Sequence, residues 1–339
     1  MEHRMVTLAQ VAQHAGVSPS TVSYVISGKR SISQDTRLRV ERSIAELGYH
    51  PHAGARALAS NRSHVIALVV PLRTDMFVPV VMEIAIAVTT TARRYAHDVL
   101  LLTSEEGPSA IKRITNSGLA DAMILMDVEL EDERIPLLRQ TGTAAALIGL
   151  PADPAGLTCV DLDFEATGRL AADHLADLGH REVALIGPAE SVYRRHTGFA
   201  ERTLTGFRQQ AGVRGLRFLH RPCGDGHEAA SGTLSRIFEE RPGITGLVVQ
   251  NESALPHLLG QLRQSGRAVP EDVSVVAICP DDVALHSAPR LTSVSVPAKE
   301  MGRRAVELVM ALAAGRPAEE LTLLTPALTI RESSGPGPR

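Results

Sequence analysis

Residues 7–49 read TLAQVAQHAGVSPSTVSYVISGKRSISQDTRLRVERSIAELGY, and this stretch decides the fold of the first part of the chain. The spacing of Thr7 and Gln10 matches a capping box, which predicts the start of a first helix. A glycine then turns the chain, and Ser18 can cap a second helix with Pro19 at its first position, where a missing N–H costs nothing. Two short helices joined by a glycine turn are typical of a helix-turn-helix.

A third helix is expected over Gln34–Leu47, with Ser33 as its cap and Gly48 at its end. The outward face of the second helix carries small polar residues and one tyrosine, and no acidic side chain that would repel phosphate. Lys29 and Arg30 follow that helix at the position where DNA phosphates would pass if the helix entered a major groove. The pattern therefore predicts DNA binding; a small helical bundle without a nucleic-acid role is the alternative.

The charge is distributed unevenly along the chain. Residues 1–62 contain eight Lys and Arg residues against four Asp and Glu residues, a net charge of +4, whereas the formal charge of the whole chain is −3. The remaining residues therefore carry −7. A basic segment attached to an acidic body indicates that the basic segment meets a polyanion.

The composition is that of an ordinary globular protein of 339 residues, with 44% hydrophobic and 22% charged residues. No apolar run reaches the ~18 residues of a membrane span, and the polar first residues lack a secretory signal. We therefore expect a cytoplasmic protein with no membrane partner. Because Cys159, Cys223 and Cys279 lie far apart, buried free thiols are expected, with no metal site and no cofactor.

From residue 64 onward, short apolar runs alternate with stretches of helical periodicity. Short apolar strands separated by helices are typical of parallel sheets with both faces covered, and the pattern occurs twice. The sequence therefore predicts an α/β core of two doubly wound lobes, with a ligand cleft beyond the carboxyl ends of the strands. The expected division is a head over 1–50, a hinge over 51–63 and a core over 64–339, with lobe 1 at about 64–162 and 292–318 and lobe 2 at about 163–291 and 319–332.

The head resembles the DNA-binding domain of the LacI/GalR family of bacterial repressors. The matching landmarks include Ala15-Gly16-Val17-Ser18, Thr21-Val22-Ser23, Leu47-Gly48-Tyr49 and Ala55-Arg56-x-Leu58. The body is similar to the same family in HLADLGHREVALIGP, residues 174–188, and VPEDVSVVAI, residues 269–278. The resemblance implies a regulator and not an enzyme, with an all-α helix-turn-helix head and a hinge helix before a core like that of periplasmic binding proteins.

The resemblance also implies which residues contact double-stranded DNA. Pro19, Ser20 and Tyr24 would face base edges, and Ser27 follows the helical spacing of Ser20 and Tyr24. The residues that would bind phosphates are Thr7, Ser18, Thr21, Ser23, Ser33 and Thr36. Tyr49 and His52 would lie at the start of a hinge helix over about Ala53–Ala59, which would place Ala55 and Leu58 in the minor groove, with Leu58 wedged into the central base step. A twofold dimer, with a tetramer as the alternative, would read a palindromic operator.

A small-molecule effector in the cleft is a further implication of the resemblance. Arg202 is one residue away from the family's ligand-binding arginine. Where the family typically has paired aspartates, this chain has Cys279-Pro280 followed by Asp281-Asp282, so either the acidic pair has slid by two residues or the pocket has different chemistry. The chain has no tryptophan to stack on a sugar ring. A sugar is the first expectation, and a nucleoside or other polar metabolite is the alternative. The residues expected to contact the effector are Phe77, Asp163, Tyr193, Arg202, Asn251, Glu252, Cys279 and Asp281.

Other motifs in the core are weak. Residues 224–229 fit the pattern GxGxxA but lie deep in the second lobe, so no dinucleotide site is expected. His174 and His180 flank a helix end and are interpreted as packing residues. No catalytic motif stands out, which disfavours an enzyme. A solute-binding protein is disfavoured by the helical head and the missing export signal.

Overall fold

The computed structural model describes residues 6–27, 30–49, 62–103 and 107–338. The first part of the chain is a bundle of three helices, α1 (Leu8–Ala15), α2 (Pro19–Ser27) and α3 (Gln34–Leu47). Their apolar faces meet in one small hydrophobic core. Because α1 and α2 are short and joined by one tight turn, they form the helix-turn-helix that the sequence predicts.

Local capping determines where these helices begin and end. The Gln10 N–H donates to Thr7 Oγ1 (3.4 Å) and the Thr7 N–H donates to Gln10 Oε1 (2.8 Å), which confirms the capping box. Gly16 ends α1 with a φ of +66°, a left-handed conformation that glycine adopts without strain. Ser33 differs from the expectation. It precedes α3, but its hydroxyl donates to Thr36 Oγ1 (2.9 Å) and caps no backbone N–H.

The rest of the described chain alternates strands and helices. The strands are β1 (Val65–Val69), β2 (Asp98–Leu102), β3 (Ala122–Leu125), β4 (Ala144–Ile148), β5 (Thr158–Leu162), β6 (Glu182–Gly187), β7 (Arg217–Pro222), β8 (Gly246–Val249), β9 (Ser274–Cys279), β10 (Thr292–Ser295), β11 (Leu321–Leu324) and β12 (Leu328–Thr329). The helices are α4 (Val78–Ala92), α5 (Pro108–Ser117), α6 (Ile135–Thr141), α7 (Phe164–Asp177), α8 (Glu190–Arg194), α9 (Gly198–Val213), α10 (His227–Glu240), α11 (Leu255–Gln264), α12 (Asp281–His286) and α13 (Ala298–Ala313). A single 3₁₀ turn, Arg93–Tyr95, follows α4. Among the described residues, no helix has the length and apolar character needed to cross a membrane.

The strands form two six-stranded sheets. The first has the order β11-β5-β4-β3-β1-β2 and the second the order β12-β10-β9-β8-β6-β7. All neighbouring strands are parallel except β10 and β12, which pair in antiparallel fashion. Four of the central strands, β3, β5, β8 and β9, are buried along their whole length, as expected when helices cover both faces of a sheet. The two-lobed α/β architecture is confirmed.

The sequence-based division into lobes is wrong for β10 and β11, near the end of the chain. Helix α13 packs against α4 of the first lobe as expected. However, β10 pairs with β9 in the second sheet, and β11 pairs with β5 in the first. The chain therefore crosses between the sheets after β5, after β10 and again after β11. An apolar run identifies a strand but does not specify its neighbour, so these two strands were exchanged between the lobes.

Candidate functional site

The outer face of α2 presents a cluster of hydroxyl groups. Ser18, Pro19 and Ser20 are exposed. The Ser18 Oγ lies 2.8 Å from Ser20 Oγ and 2.9 Å from Thr21 Oγ1, and it accepts a hydrogen bond from the Thr21 N–H (3.2 Å). Ser23 is half-buried on the same helix. Hydroxyl groups can donate to phosphate and exchange donor and acceptor roles at base edges, so this face suits a nucleic-acid surface.

A basic residue lies against the tyrosine of this face. The Arg30 guanidinium carbon is 5.7 Å from the centre of the half-buried Tyr24 ring, within the range of a cation–π contact. Arg37 is exposed on α3, and Thr7 is exposed ahead of α1. Thr36 is half-buried and accepts the Ser33 hydroxyl. Positive charge and hydroxyl groups thus occur together in the head.

Some expected DNA contacts are placed differently or lie outside the described residues. The Tyr49 side chain is only 5% exposed and belongs to the core of the head, which favours packing over a contact with DNA. The side chain of Ser27 and the whole of His52, Ala55 and Leu58 fall outside the described part of the chain. The hinge helix and its leucine wedge stay predictions.

The first described residues after that segment are tied to the first lobe by one carboxylate. Asp121 Oδ1 accepts hydrogen bonds from the Ser63 N–H (2.6 Å) and hydroxyl (2.9 Å), and Oδ2 accepts from the His64 N–H (2.9 Å). The buried His97 places Nε2 3.3 Å from the same Oδ2. Burial acts to raise the pKa of Asp121, but these hydrogen bonds outweigh it and lower the pKa. The carboxylate therefore anchors the chain where the head joins the core.

A cavity of about 170 Å³ lies between the two lobes. Its lining residues lie at or just beyond the carboxyl ends of strands in both sheets: β1, β3, β4 and β5 of the first and β6, β8, β9 and β10 of the second. This is the position at which open parallel sheets bind ligands. Much of the wall is apolar, and the rings of Phe164 and Phe199 contact each other there with centres 5.7 Å apart.

Polar contacts close the cavity across the lobes. Asp75 of the first lobe accepts hydrogen bonds from Arg195 (2.9 and 3.2 Å) and from the Ser191 hydroxyl of the second. Burial acts to raise the pKa of Asp75, but the bonds from Arg195 and Ser191 outweigh it and lower the pKa. The Leu130 N–H also donates to the His196 carbonyl (2.9 Å). These contacts hold the lobes together over the cavity.

Two further carboxyl groups face the cavity without an opposite charge. Asp161 projects from the buried strand β5 and is 2% exposed. Burial raises the pKa of Asp161 to about 7, and burial likewise raises the pKa of Glu252 to about 7. The loop after β8 carries the buried Gln250 and the half-buried Glu252. An ionised carboxylate is costly to bury unless a partner compensates it, so these groups mark the cavity as a binding site.

The cavity contains three of the residues expected to contact an effector, Phe77, Asn251 and Glu252. Of these, Asn251 also fixes the loop, because its Nδ2 donates to the Cys223 carbonyl (2.6 Å). Asp161 was missed by the sequence interpretation. The sequence does contain a signal for it: Asp161 is an acidic residue inside the strand sequence TCVDL, two positions before Asp163, which was expected to contact the effector.

The other five expected residues do not line the cavity. Asp163 caps α7 by accepting the Ala166 N–H (2.8 Å), and Asp281 pairs with Arg331 (3.0 Å). The Arg202 guanidinium donates to the Pro151 carbonyl (2.9 Å). Each of these side chains is engaged within the protein outside the cavity, which favours a structural role over the expected contact with an effector. Two more serve packing in the second lobe: Cys279 within β9 and Tyr193, whose ring meets that of His220 edge-on (4.8 Å).

Comparison with known proteins identifies the family of both parts of the chain. Residues 7–52 match the family described as bacterial regulatory proteins, lacI family, and residues 172–334 match the periplasmic binding protein-like domain. The transcriptional regulator CelR of Thermobifida fusca is 30% identical to this chain over 97% of the chain and 98% of the relative.

Two solved structures are also similar. A complex of the transcriptional regulator CelR with cellobiose has a TM-score of 0.69 and 27% identity, covering 97% of this chain and 99% of that one. The lac repressor dimer bound to operator and the anti-inducer ONPF has a TM-score of 0.83 at 23% identity, covering 98% and 100%, and shows a shared fold. On these matches the chain belongs to the LacI family of bacterial regulatory proteins, and it is a DNA-binding regulator of transcription rather than an enzyme.

Proposed function

We propose that this regulator represses transcription in the cytoplasm by binding a palindromic operator as a homodimer, under the control of a small molecule bound between its lobes. The observation that carries the proposal is a cavity at the carboxyl ends of both sheets, bridged by Asp75 and Arg195, in a chain whose head presents a hydroxyl-rich helix. A ligand there shifts the equilibrium between two lobe arrangements by the difference between its binding free energies for them.

On the DNA side, α2 would enter the major groove. Ser20 and Tyr24 would face base edges, while Ser18, Thr21 and Arg30 would lie near phosphates. None of these hydroxyl residues can make the bidentate contacts that Arg, Asn or Gln make with purines. A substantial share of the affinity would therefore come from phosphate contacts and fall as salt concentration rises.

An apolar surface on the first lobe supports the homodimer. Val78, Met82 and Ile86 recur at every fourth position of α4 and are 51%, 44% and 62% exposed. The neighbouring strand β2 is an edge of the first sheet and exposes Leu101 by 43%. An exposed stripe of large apolar side chains beside a sheet edge is typical of a protein interface. A second copy related by a twofold axis would cover the same stripe on both chains.

For the effector, a sugar is supported by the cellobiose complex of a regulator that is 27% identical to this chain. The cavity offers carboxyl and amide oxygens as acceptors and the Phe77 and Phe199 rings as apolar walls. A nucleoside or other polar metabolite is the second candidate, because Arg202 is bonded to the Pro151 carbonyl and no tryptophan is available for stacking.

The proposal is tested by selecting genomic fragments that bind the full-length protein at a stated salt concentration. We expect a few fragments with a shared near-palindrome, bound by two copies of the chain as measured by sedimentation. Ile86→Glu should weaken both dimerisation and operator binding, whereas an acidic substitution at exposed Val213, which lies at the end of α9, should change neither. Fragments that bind no better than random DNA, with and without small-molecule extracts, would overturn it.

A further inference from the structure

The charges that line the cavity do not balance. Four carboxyl groups face it, and two of them have cationic partners: Asp127 pairs with Arg73, and Asp75 pairs with Arg195. In the described part of the chain, Asp161 and Glu252 form no ion pair within 4 Å. A cavity with two uncompensated carboxyl groups favours a ligand that brings positive charge.

Three buried polar atoms of the described cavity wall have no hydrogen-bond partner: two acceptors, on Asp161 and Gln250, and one donor, Arg195 Nε, which lies 3.8 Å from Glu129 Oε1. Asp161 Oδ1 accepts the Leu162 N–H (2.9 Å), but the buried Oδ2 has no donor. Gln250 is 4% exposed and donates Nε2 to Thr203 Oγ1 (2.8 Å), which leaves its buried Oε1 without a donor. Buried polar atoms normally have hydrogen-bond partners. The acceptors of Asp161 and Gln250 therefore lack donors, and a ligand rich in donors would supply them.

Arg202, whose charge acts on Asp161, does not fill this role. The Arg202 charge acts to lower the pKa of Asp161, but burial dominates and raises it to about 7. The guanidinium itself is held by the Pro151 carbonyl (2.9 Å) and does not line the cavity. A metal ion is also disfavoured, because the described residues contain no group of three or more potential ligands placed to bind one.

We propose that the effector is a small organic cation whose protonated amine binds against Asp161 and Glu252 and whose uncharged body lies against the Phe77 and Phe199 rings. An ammonium group has three donors and no acceptor, which matches the unpaired acceptors of Asp161 and Gln250. A neutral sugar can donate hydrogen bonds but brings no positive charge that would favour the ionised carboxylates, and an anion is repelled by them. The inference rests on the proposed function, since it assumes that the cavity is the effector site.

The experiment uses the full-length protein and small-molecule extract of the source bacterium, separated by cation exchange into retained and unretained fractions. Thermal unfolding and operator binding are measured with each fraction, and with glucosamine against glucose as a pair that differs in one amine. We expect the retained fraction to raise Tm and to change operator affinity at least tenfold. Asp161→Asn and Glu252→Gln should each reduce that response tenfold or more. Asp153→Asn, which removes an exposed carboxylate outside the cavity, is the matched control.

The two readouts separate the two proposals. A response confined to the unretained fraction or a response to neither fraction overturns the organic cation. So does a response of Asp161→Asn and Glu252→Gln that equals that of the unsubstituted protein. If the protein still selects an operator in those cases, the proposed function stands. Stabilisation by the retained fraction that depends on Asp161, in a protein that selects no operator, supports the cation site and overturns the regulatory role.

Discussion

In the head, the ends of α1 are set by residues close to them in sequence, Thr7 with Gln10 at the start and Gly16 at the end. The residues that line the cavity, in contrast, come from positions as far apart as 75 and 301. Two glycines show the same contrast. Gly16 is required by its own φ of +66°, and a Cβ there would meet nothing within 4 Å. Gly206 has no unusual φ, but a Cβ there would overlap the Glu165 carbonyl where α9 crosses α7. The head depends on local conformation and the core on contacts between distant segments.

The sharpest test of this contrast is Gly206→Ala. Because the new methyl group would displace the backbone of α7, we expect it to lower the free energy of unfolding of the core by about 3 kcal/mol or more. Gly212→Ala is the matched control on the same helix, with nothing within 4 Å of the new Cβ. It should be neutral or stabilise by up to ~1 kcal/mol. Urea unfolding of both variants measures the difference; equal effects would contradict the close approach of the two helices.

The second prediction concerns the head alone. Ser20→Glu places a negative charge on the exposed face of α2, where it would meet phosphates and base edges. We expect operator affinity to fall about 100-fold, or ~2.7 kcal/mol, with the unfolding of the core unchanged. Ala45→Glu adds the same charge at an exposed position of α3 and should have a much smaller effect. A gel shift at fixed salt concentration measures both; similar losses would mean that α2 is not the recognition helix.

The same contrast explains what the sequence could predict. The capping box at Thr7 and the helix end at Gly16 were predictable, because those residues interact with neighbours along the chain. Strand β5 was missed, since Asp161 interrupts its apolar run, and the position of Asp161 in the cavity became evident only from the sheet. Arg202 and Asp163 were plausible ligand residues by type. Their engagement with the Pro151 carbonyl and the start of α7 depends on tertiary structure that no local pattern reports.

Two buried groups of the core should respond to pH in opposite directions. Burial lowers the pKa of His220 to about 4, so its neutral form contributes stability above pH ~6.5 that is lost as pH falls toward 4. Burial raises the pKa of Asp161 to about 7, so its contribution is present at acid pH and is lost as pH rises through 7. The charged neighbours are Arg208 and Arg221 for His220, and Arg202 and Asp163 for Asp161.

Measuring unfolding free energy from pH 4.5 to 7.5 resolves the two contributions. Relative to the unsubstituted protein, His220→Gln should flatten the rise of stability with pH, and Asp161→Asn should steepen it, by about 1–2 kcal/mol across the range. The ring of the exposed His227 lies 6.2 Å from that of His257, and His227→Gln is the control that should leave the slope unchanged. Slopes that move in the same direction for both core variants would contradict the assigned causes.

The smallest expected effect is that of Thr7→Ala, which removes one side of the capping box at α1. The Gln10 N–H loses Thr7 Oγ1 as an acceptor and keeps the Thr7 carbonyl (3.0 Å), and the Thr7 N–H keeps its bond to Gln10 Oε1, so about 1 kcal/mol of helix stability or less should be lost. Operator affinity should also fall if the same hydroxyl contacts a phosphate. Thr7→Ser restores the hydroxyl and should recover both properties. Because the head and the cavity share no element, ligand-induced stabilisation of the core should be the same in all three proteins; a changed ligand response would show that the head is coupled to the core even without DNA.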